Sequence, residues 1–185
     1  FKPQFVVTKT RDEAAHWSWG DIIRGNNSNL SSNNTDTVST TNQWRVKDWN
    51  AGATSVTIAQ HASINTSNVS YAWKANPTPT INTDGTIQTI VSANQAAGFS
   101  IAKSASTAFM TSQTFGLGLG EEPDVVIVKS TDIVTEWRVF SKHLNNWDGF
   151  LKLNSTDALY TSSITTTVTS TTFSSNWTNT SGIWM

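Results

Sequence analysis

Along the chain, apolar residues fall at alternate positions in short runs broken by Asn, Ser, Thr, Gly and Pro, the period of a strand with one covered face. Phe5-Val6-Val7-Thr8-Lys9 reads as one strand, and the continuously apolar Val125-Val126-Ile127-Val128-Lys129 as another inside a sheet. A polar turn follows each, Arg11-Asp12-Glu13 or Ser130-Thr131-Asp132. Residues 17–20 and 137–142 come next, with Trp17 and Trp19 on one face and Trp137 and Val139 on the matching face. Further strands are expected at 55–59, 69–74, 87–91, 99–103, 150–153 and 171–174, and a brief helix at 21–24 or 141–144. Many short strands between turns predict an all-β chain of β-sandwich or jelly-roll type.

The same pattern occurs twice. Pro3-Gln4-Phe5-Val6-Val7-Thr8-Lys9 stands over Pro123-Asp124-Val125-Val126-Ile127-Val128-Lys129, and the match runs without a gap through Asp12 with Asp132 and Trp17 with Trp137. After one inserted residue, Asn33-Asn34-Thr35-Asp36 matches Asn154-Ser155-Thr156-Asp157, and Asn65-Thr66-Ser67 echoes Asn179-Thr180-Ser181. A shared order of matches is the signature of an internal repeat. Trp17 and Trp137, repeated on strands, read as core residues of the two copies.

Residues 26–42 are almost entirely Asn, Ser and Thr and read as a long surface loop or hairpin. Pro77 and Pro79 mark a linker. The expected organisation is a first, partial sandwich repeat at 1–76, a Pro/Thr/Asn linker at 77–85 and a second repeat at 86–185. Ala97-Gly98-Phe99-Ser100-Ile101 has no counterpart before Phe1, so the first copy is expected to lack its leading strands, as in a chain cut from a longer one.

These residues resemble a repeat domain of tail-fibre and other virion structural proteins of marine bacteriophages, cyanophages among them. The resemblance rests on Gly98-Phe99-Ser100-Ile101, the Gly-rich turn from Gly116 to Gly120, the Pro123-to-Lys129 strand and Trp137-Arg138-Val139-Phe140. Leu153-Asn154-Ser155-Thr156-Asp157 and Tyr71-Ala72-Trp73-Lys74 complete it. Leu117 departs from the pattern, which often has His there, and the second copy ends at Ile183-Trp184-Met185 without a full Tyr-Ala-Trp-like strand. The resemblance implies a virion setting and an extracellular particle surface; it carries no catalytic residues.

Composition agrees with a β-rich exterior of hydroxyls and amides. Charged residues make up 14% and the net charge is −1, which leaves no electrostatic footprint for nucleic acid. Nine Trp and eight Phe supply core bulk although hydrophobic residues are only 37%. With no cysteine there is neither a disulfide framework nor a thiolate metal site, and no apolar run approaches the ~20 residues of a membrane-spanning helix. Asn-x-Ser/Thr triplets, as at Asn26, Asn65, Asn154 and Asn176, follow from the composition.

Candidate chemistry is thin. Gly116-Leu117-Gly118-Leu119-Gly120 lacks the Lys-Ser/Thr ending of a phosphate loop, and Glu121-Glu122-Pro123 follows it, so it reads as a turn. His16, His61 and His143 lie far apart without metal-ligand spacing, and Glu136 replaces His16 in the second copy. Asp12 and Asp132 recur, but each sits in a turn, where an Asp commonly accepts backbone N–H bonds. Trp44 and Trp49 with Arg45, Asp48 and Asn50, and Trp147 with Asn146 and Asp148, have the chemistry of a sugar site. The competing reading puts these rings over a core edge or an inter-subunit contact.

The expected function is therefore non-catalytic: an outward-projecting segment of a phage tail fibre, appendage or head decoration, mediating host-surface attachment. Expected partners are further copies of the chain, a homotrimer favoured, with other virion proteins and a host-surface glycan. No cofactor, metal, nucleic acid or membrane insertion is expected. The alternatives are a glycan-binding adhesin of a cell-surface assembly and a polysaccharide depolymerase.

Overall fold

The structure, a computed structural model, describes residues 1–40, 45–49, 54–59, 67–104, 113–176 and 183–184. Its secondary structure is antiparallel strands with two single-turn 3-10 helices, Gln95–Ala97 and Asn145–Trp147. The first copy forms a four-stranded sheet from β1 (Phe5–Thr10), β2 (Ser18–Asp21), β3 (Leu30–Ser31) and β6 (Asn68–Trp73), in the order β3-β2-β1-β6. β4 (Arg45–Lys47) and β5 (Thr57–Ala59) pair as a separate ribbon.

The second copy repeats this plan. β11 (Val125–Ser130), β12 (Arg138–Ser141), β13 (Phe150–Lys152) and β16 (Ile183–Trp184) follow the order β13-β12-β11-β16. Register agrees as well: Phe5 opposes Asp21, and Val125 opposes Ser141. The repetition extends to single hydrogen bonds. Trp17 N–H donates to Asn33 Oδ1 at 3.2 Å and Trp137 N–H to Asn154 Oδ1 at 2.8 Å. An isolated bridge joins Asn29 to Ser39 in one copy and Phe150 to Tyr160 in the other. Equal topology, register and side-chain bonding identify a duplicated unit.

Four strands preceding the repeated part of the second copy enlarge it. β7 (Thr80–Asn82), β8 (Thr89–Asn94) and β9 (Phe99–Ser104) extend its sheet beyond β16 to give β13-β12-β11-β16-β9-β8-β7. β10 (Phe115–Gly116) joins β14 (Thr166–Val168) and β15 (Thr172–Ser175) in a small sheet of order β10-β15-β14. In the first copy β6 ends its sheet, and no described strand precedes β1.

Two local expectations change. The segment 77–85 contains β7 as well as a connection: the prolines lie before Thr80, and an edge strand tolerates them there. Residues 26–42 contain β3, and Leu30 and Asn29 within that stretch are buried. Asn29 and Ser39 exchange backbone bonds of 3.1 and 2.9 Å, so the stretch folds back on itself as a hairpin.

Three apolar clusters lie between four β-layers. Val6 meets Val46 and Trp49 where the β4–β5 ribbon covers the outer face of the first sheet. Phe5, Val7 and Leu30 meet Ile101 and Trp137 between the first sheet and the seven-stranded one. Val126, Val128, Phe140 and Phe150 meet Phe115 and Phe173 beneath the β10-β15-β14 sheet. Alternation assigns the layers: Phe5 and Val7 turn one way and Val6 the other, as Ile127 does against Val126 and Val128. The two copies thus face each other through equivalent surfaces and share the middle cluster. Trp19 and Trp137 pack there with ring centroids 4.7 Å apart, and Trp137 Nε1–H donates to Ser31 O at 2.9 Å.

Lys129 fastens the same junction. Its fully buried ammonium donates to Thr35 O at 3.2 Å and to Ser130 O at 3.0 Å. Loss of solvent pushes its pKa down to about 8, with Arg138 adding repulsion and Asp36 opposing the shift. Between that value and its ordinary pKa the unfolded chain holds a proton that the folded chain has released, so stability rises with pH across this window. Below about pH 8 the burial cost is present in full. Melting curves from about pH 7 to about pH 10 should show this rise for the native chain and a smaller one for Lys129→Met. Equal slopes would count against the buried amine.

Candidate functional site

The aromatic residues singled out in the sequence do not form one site. Trp137 is completely buried in the shared cluster, while Trp17 is half-buried at its edge with its ring 6.1 Å from Tyr71. Trp49 is 4% exposed in the outermost cluster of the first copy. Trp147 is 6% exposed in the cluster at the opposite side of the molecule, its Nε1–H donating to Glu122 Oε1 at 3.3 Å. A sugar-stacking ring needs an open face, and neither of these two indoles offers one. They cover the core, each under its own outer layer. Trp44 and Asn50 lie outside the described residues, as does the side chain of Arg45.

Positive backbone angles turn these rings inward. Asp48, just before Trp49, has φ 65°, and Asn145, Asn146 and Trp147 have φ of 52°, 50° and 73°. Asp148 anchors the second turn, its Oδ1 accepting from Thr166 N–H at 3.1 Å. The polar neighbours that suggested sugar chemistry therefore shape tight turns. Asn tolerates left-handed backbone better than most residues, which suits it to this role.

The repeated acids also serve the backbone. Asp12 accepts the Ser67 N–H, tying the turn after β1 to the start of β6. Asp132 accepts the Thr131 hydroxyl at 2.7 Å, and its own N–H donates to Ser130 Oγ at 3.3 Å. Asp21, fully buried, accepts from the N–H groups of Ile23 and Arg24 at 2.9 and 2.8 Å and pairs with the Arg24 guanidinium. His16 and His143 are exposed; His16 Nδ1 shares a 2.8 Å bond with Asn33 Nδ2, and His61 lies outside the described residues. Among the described residues no three His, Asp or Glu side chains come together as a metal site. Within the glycine turn, Gly118 (φ 72°) lies so near Val91 Cγ1 that a Cβ there would approach it to 2.6 Å. That glycine serves packing.

Among the described residues, two concavities bear on function. The first, about 520 Å³, lies along β7 and β8 and is lined by polar side chains including Asn76, Asn82, Asp84, Asn94 and Gln95. Most of these amides hold the fold: Asn82 Nδ2 donates to Asp84 at 2.7 Å, Asn94 Nδ2 to Lys74 O at 3.2 Å and Gln95 Nε2 to Gly118 O at 3.1 Å. The second, about 490 Å³, is mostly apolar and opens between the two copies, with Phe5, Trp19 and Trp73 on one side and Phe99, Val125 and Ile127 on the other. Neither was legible in the sequence. Both depend on which strands become neighbours.

With the architecture in view, comparison with known families gives one match. A family profile described only as a domain of unknown function, DUF7483, matches residues 1–183. The chain belongs to that family. No curated protein and no solved structure matches it. The DUF7483 match spans both copies of the duplicated unit.

Proposed function

We propose that this DUF7483 chain is a non-catalytic structural segment of a virus particle, a module of a tail fibre, appendage or head decoration that presents β-layers outward. The observation that carries this reading is how the duplicated polar residues are used. Trp17 and Trp137 are held by the paired amides Asn33 and Asn154, while Asp12 and Asp132 sit in turns bonded to neighbouring backbone or hydroxyl groups. What duplication retained here is a frame. The sequence resemblance to phage repeat domains supplies the viral setting, and a neutral amide- and hydroxyl-rich exterior suits an exposed particle surface. Association into trimers would multiply weak surface contacts through effective concentration.

Attachment to a host glycan, in this reading, uses the polar groove along β7 and β8, because its donors and acceptors line an open concavity while Trp49 and Trp147 are covered. Sedimentation of the purified chain and glycan-array binding test the proposal together. A trimer whose array signal falls with Gln95→Ala and Asp84→Ala is the expected result. Release of reducing ends from host polysaccharide would overturn the non-catalytic assignment, and a dispersed monomer without glycan binding would overturn the adhesive one.

A further inference from the structure

The amides along the polar groove of β7 and β8 are engaged with the frame, and their bonding decides what the groove still offers a ligand. Asn82 Nδ2 donates to Asp84 Oδ2 at 2.7 Å, and Asn82 Oδ1 accepts the Asp84 N–H at 3.0 Å, which closes the turn after β7. Asn94 Nδ2 donates to Lys74 O at 3.2 Å, while Asn94 Oδ1 accepts the Ala97 N–H at 3.3 Å. Asn76 Oδ1 accepts the Thr78 N–H at 2.9 Å, and Gln95 Nε2 donates to Gly118 O at 3.1 Å. Two side-chain oxygens of the lining are left without a bond among the described residues, Asp84 Oδ1 and Gln95 Oε1. The hydroxyls of Thr80 and Thr171 stand beside them in the lining, also uncommitted.

Charge narrows the choice further. Asp84 is the one charged side chain among the described lining residues, and it is exposed. Lys74 meets the groove through its carbonyl oxygen, and the residue that follows Gly120 is again acidic, Glu121. Free carboxylate and amide oxygens accept hydrogens, so they suit a ligand rich in donors. A hydroxyl that donates to a carboxylate makes a charge-assisted bond, stronger than one between neutral groups. A sulfate, phosphate or carboxylate brings no hydrogen to that point and is repelled by the Asp84 charge. No aromatic ring is among the described lining residues, so recognition depends on hydroxyl placement rather than on stacking. Val91 and Ala93, both beside Gly118, add a small apolar floor for the C–H face of a sugar ring.

We propose that the groove selects neutral, hydroxyl-rich glycans and discriminates against acidic ones, with Asp84 as the residue that sets this selectivity. The inference rests on the glycan-attachment reading above and adds the chemical class of the ligand. Sugar hydroxyls donate to Asp84 Oδ1 and Gln95 Oε1, and the Thr80 and Thr171 hydroxyls donate or accept as the sugar requires. Chains bearing sialic acid, uronic acid or sulfate are turned away by charge.

The test is an array of neutral oligosaccharides, each printed beside its sulfated counterpart and probed with the full chain at low salt. Neutral members should bind about fivefold or more tightly than their sulfated counterparts, and high salt should narrow that gap by screening an exposed charge. Asp84→Asn, shown to be folded by its melting curve, should close most of the gap by admitting the sulfated members. Gln95→Ala should weaken the neutral members and leave the repulsion in place. Equal or tighter binding of sulfated members by the native chain would overturn the inference. So would a gap that neither high salt nor Asp84→Asn changes; the salt series reads the charge on the native chain even if the variant fails to fold. Either result leaves glycan attachment itself standing. Retention of neither kind of glycan would overturn the attachment reading and this inference together.

Discussion

Replacing Trp137 by Ala is expected to destabilise both copies at once, by about 3–5 kcal/mol. The indole is fully buried, packs on Trp19 at 4.7 Å, and reaches across to Ser31 O of the other copy at 2.9 Å. Truncation removes apolar contact on both sides and leaves a cavity in the middle of the four layers. A domain this size is commonly stable by only about 5–15 kcal/mol, so the loss is a large fraction of the total. Trp137→Phe retains most of the packing but loses the bond to the Ser31 carbonyl, which keeps the longer 3.5 Å bond from the Asn34 N–H, a cost of about 1 kcal/mol. Denaturant titrations monitored at several probes should show one cooperative transition for the native chain, moved to lower denaturant in Trp137→Ala. Two independent transitions, with only the second copy affected, would show that the copies fold separately.

Trp147→Ala and Trp49→Ala should each cost about 3–5 kcal/mol in stability and leave the proposed glycan binding, read on the surviving folded protein, unchanged. Each ring fills the cluster beneath an outer layer, Trp147 near Phe140 and Phe150, Trp49 against Val6 and Val46. The two losses should add within a few tenths of a kcal/mol, because the rings sit in separate clusters and share no described partner. Thermal melts of the single and double variants, paired with glycan-array profiles at a temperature where all are folded, check this. A selective loss of glycan binding with no change in melting would restore these tryptophans as ligand residues.

Much of the fold was legible because its longer strands carry strong alternation. β1, β6, β9 and β11 each have six residues, and their apolar positions mark them out before any pairing is known. β3, β4, β7, β10, β14 and β16 have only two or three residues, too few to display an alternation. Such segments become strands because a neighbour offers a ladder, which a local pattern does not record. The duplication was legible in the matched positions of Pro3, Lys9, Asp12 and Trp17 with Pro123, Lys129, Asp132 and Trp137, whereas the paired hydrogen bonds of Trp17 and Trp137 appear only in the structure. That the copies would pack face to face was not, although Trp17, Trp19 and Trp137 on matching faces were consistent with a common core.

The site residues divided in the same way. Asp12 and Asp132 were placed in turns by their position after a strand, and the structure puts them there. For Trp49 and Trp147 the polar neighbours left a sugar site and a core edge both open, and the burial of both rings, beside left-handed backbone at Asp48, Asn145 and Asn146, agrees with the core edge. The polar groove and the apolar cleft arise from strand order, so they lie beyond the reach of local sequence.

Mass spectrometry of purified virus particles, with antibody labelling viewed by electron microscopy, tests the virion assignment most directly. The chain should be present in many copies per particle, with label on projecting fibres or on the head surface. Recovery of the chain only outside particles, with no label on any of them, would contradict it.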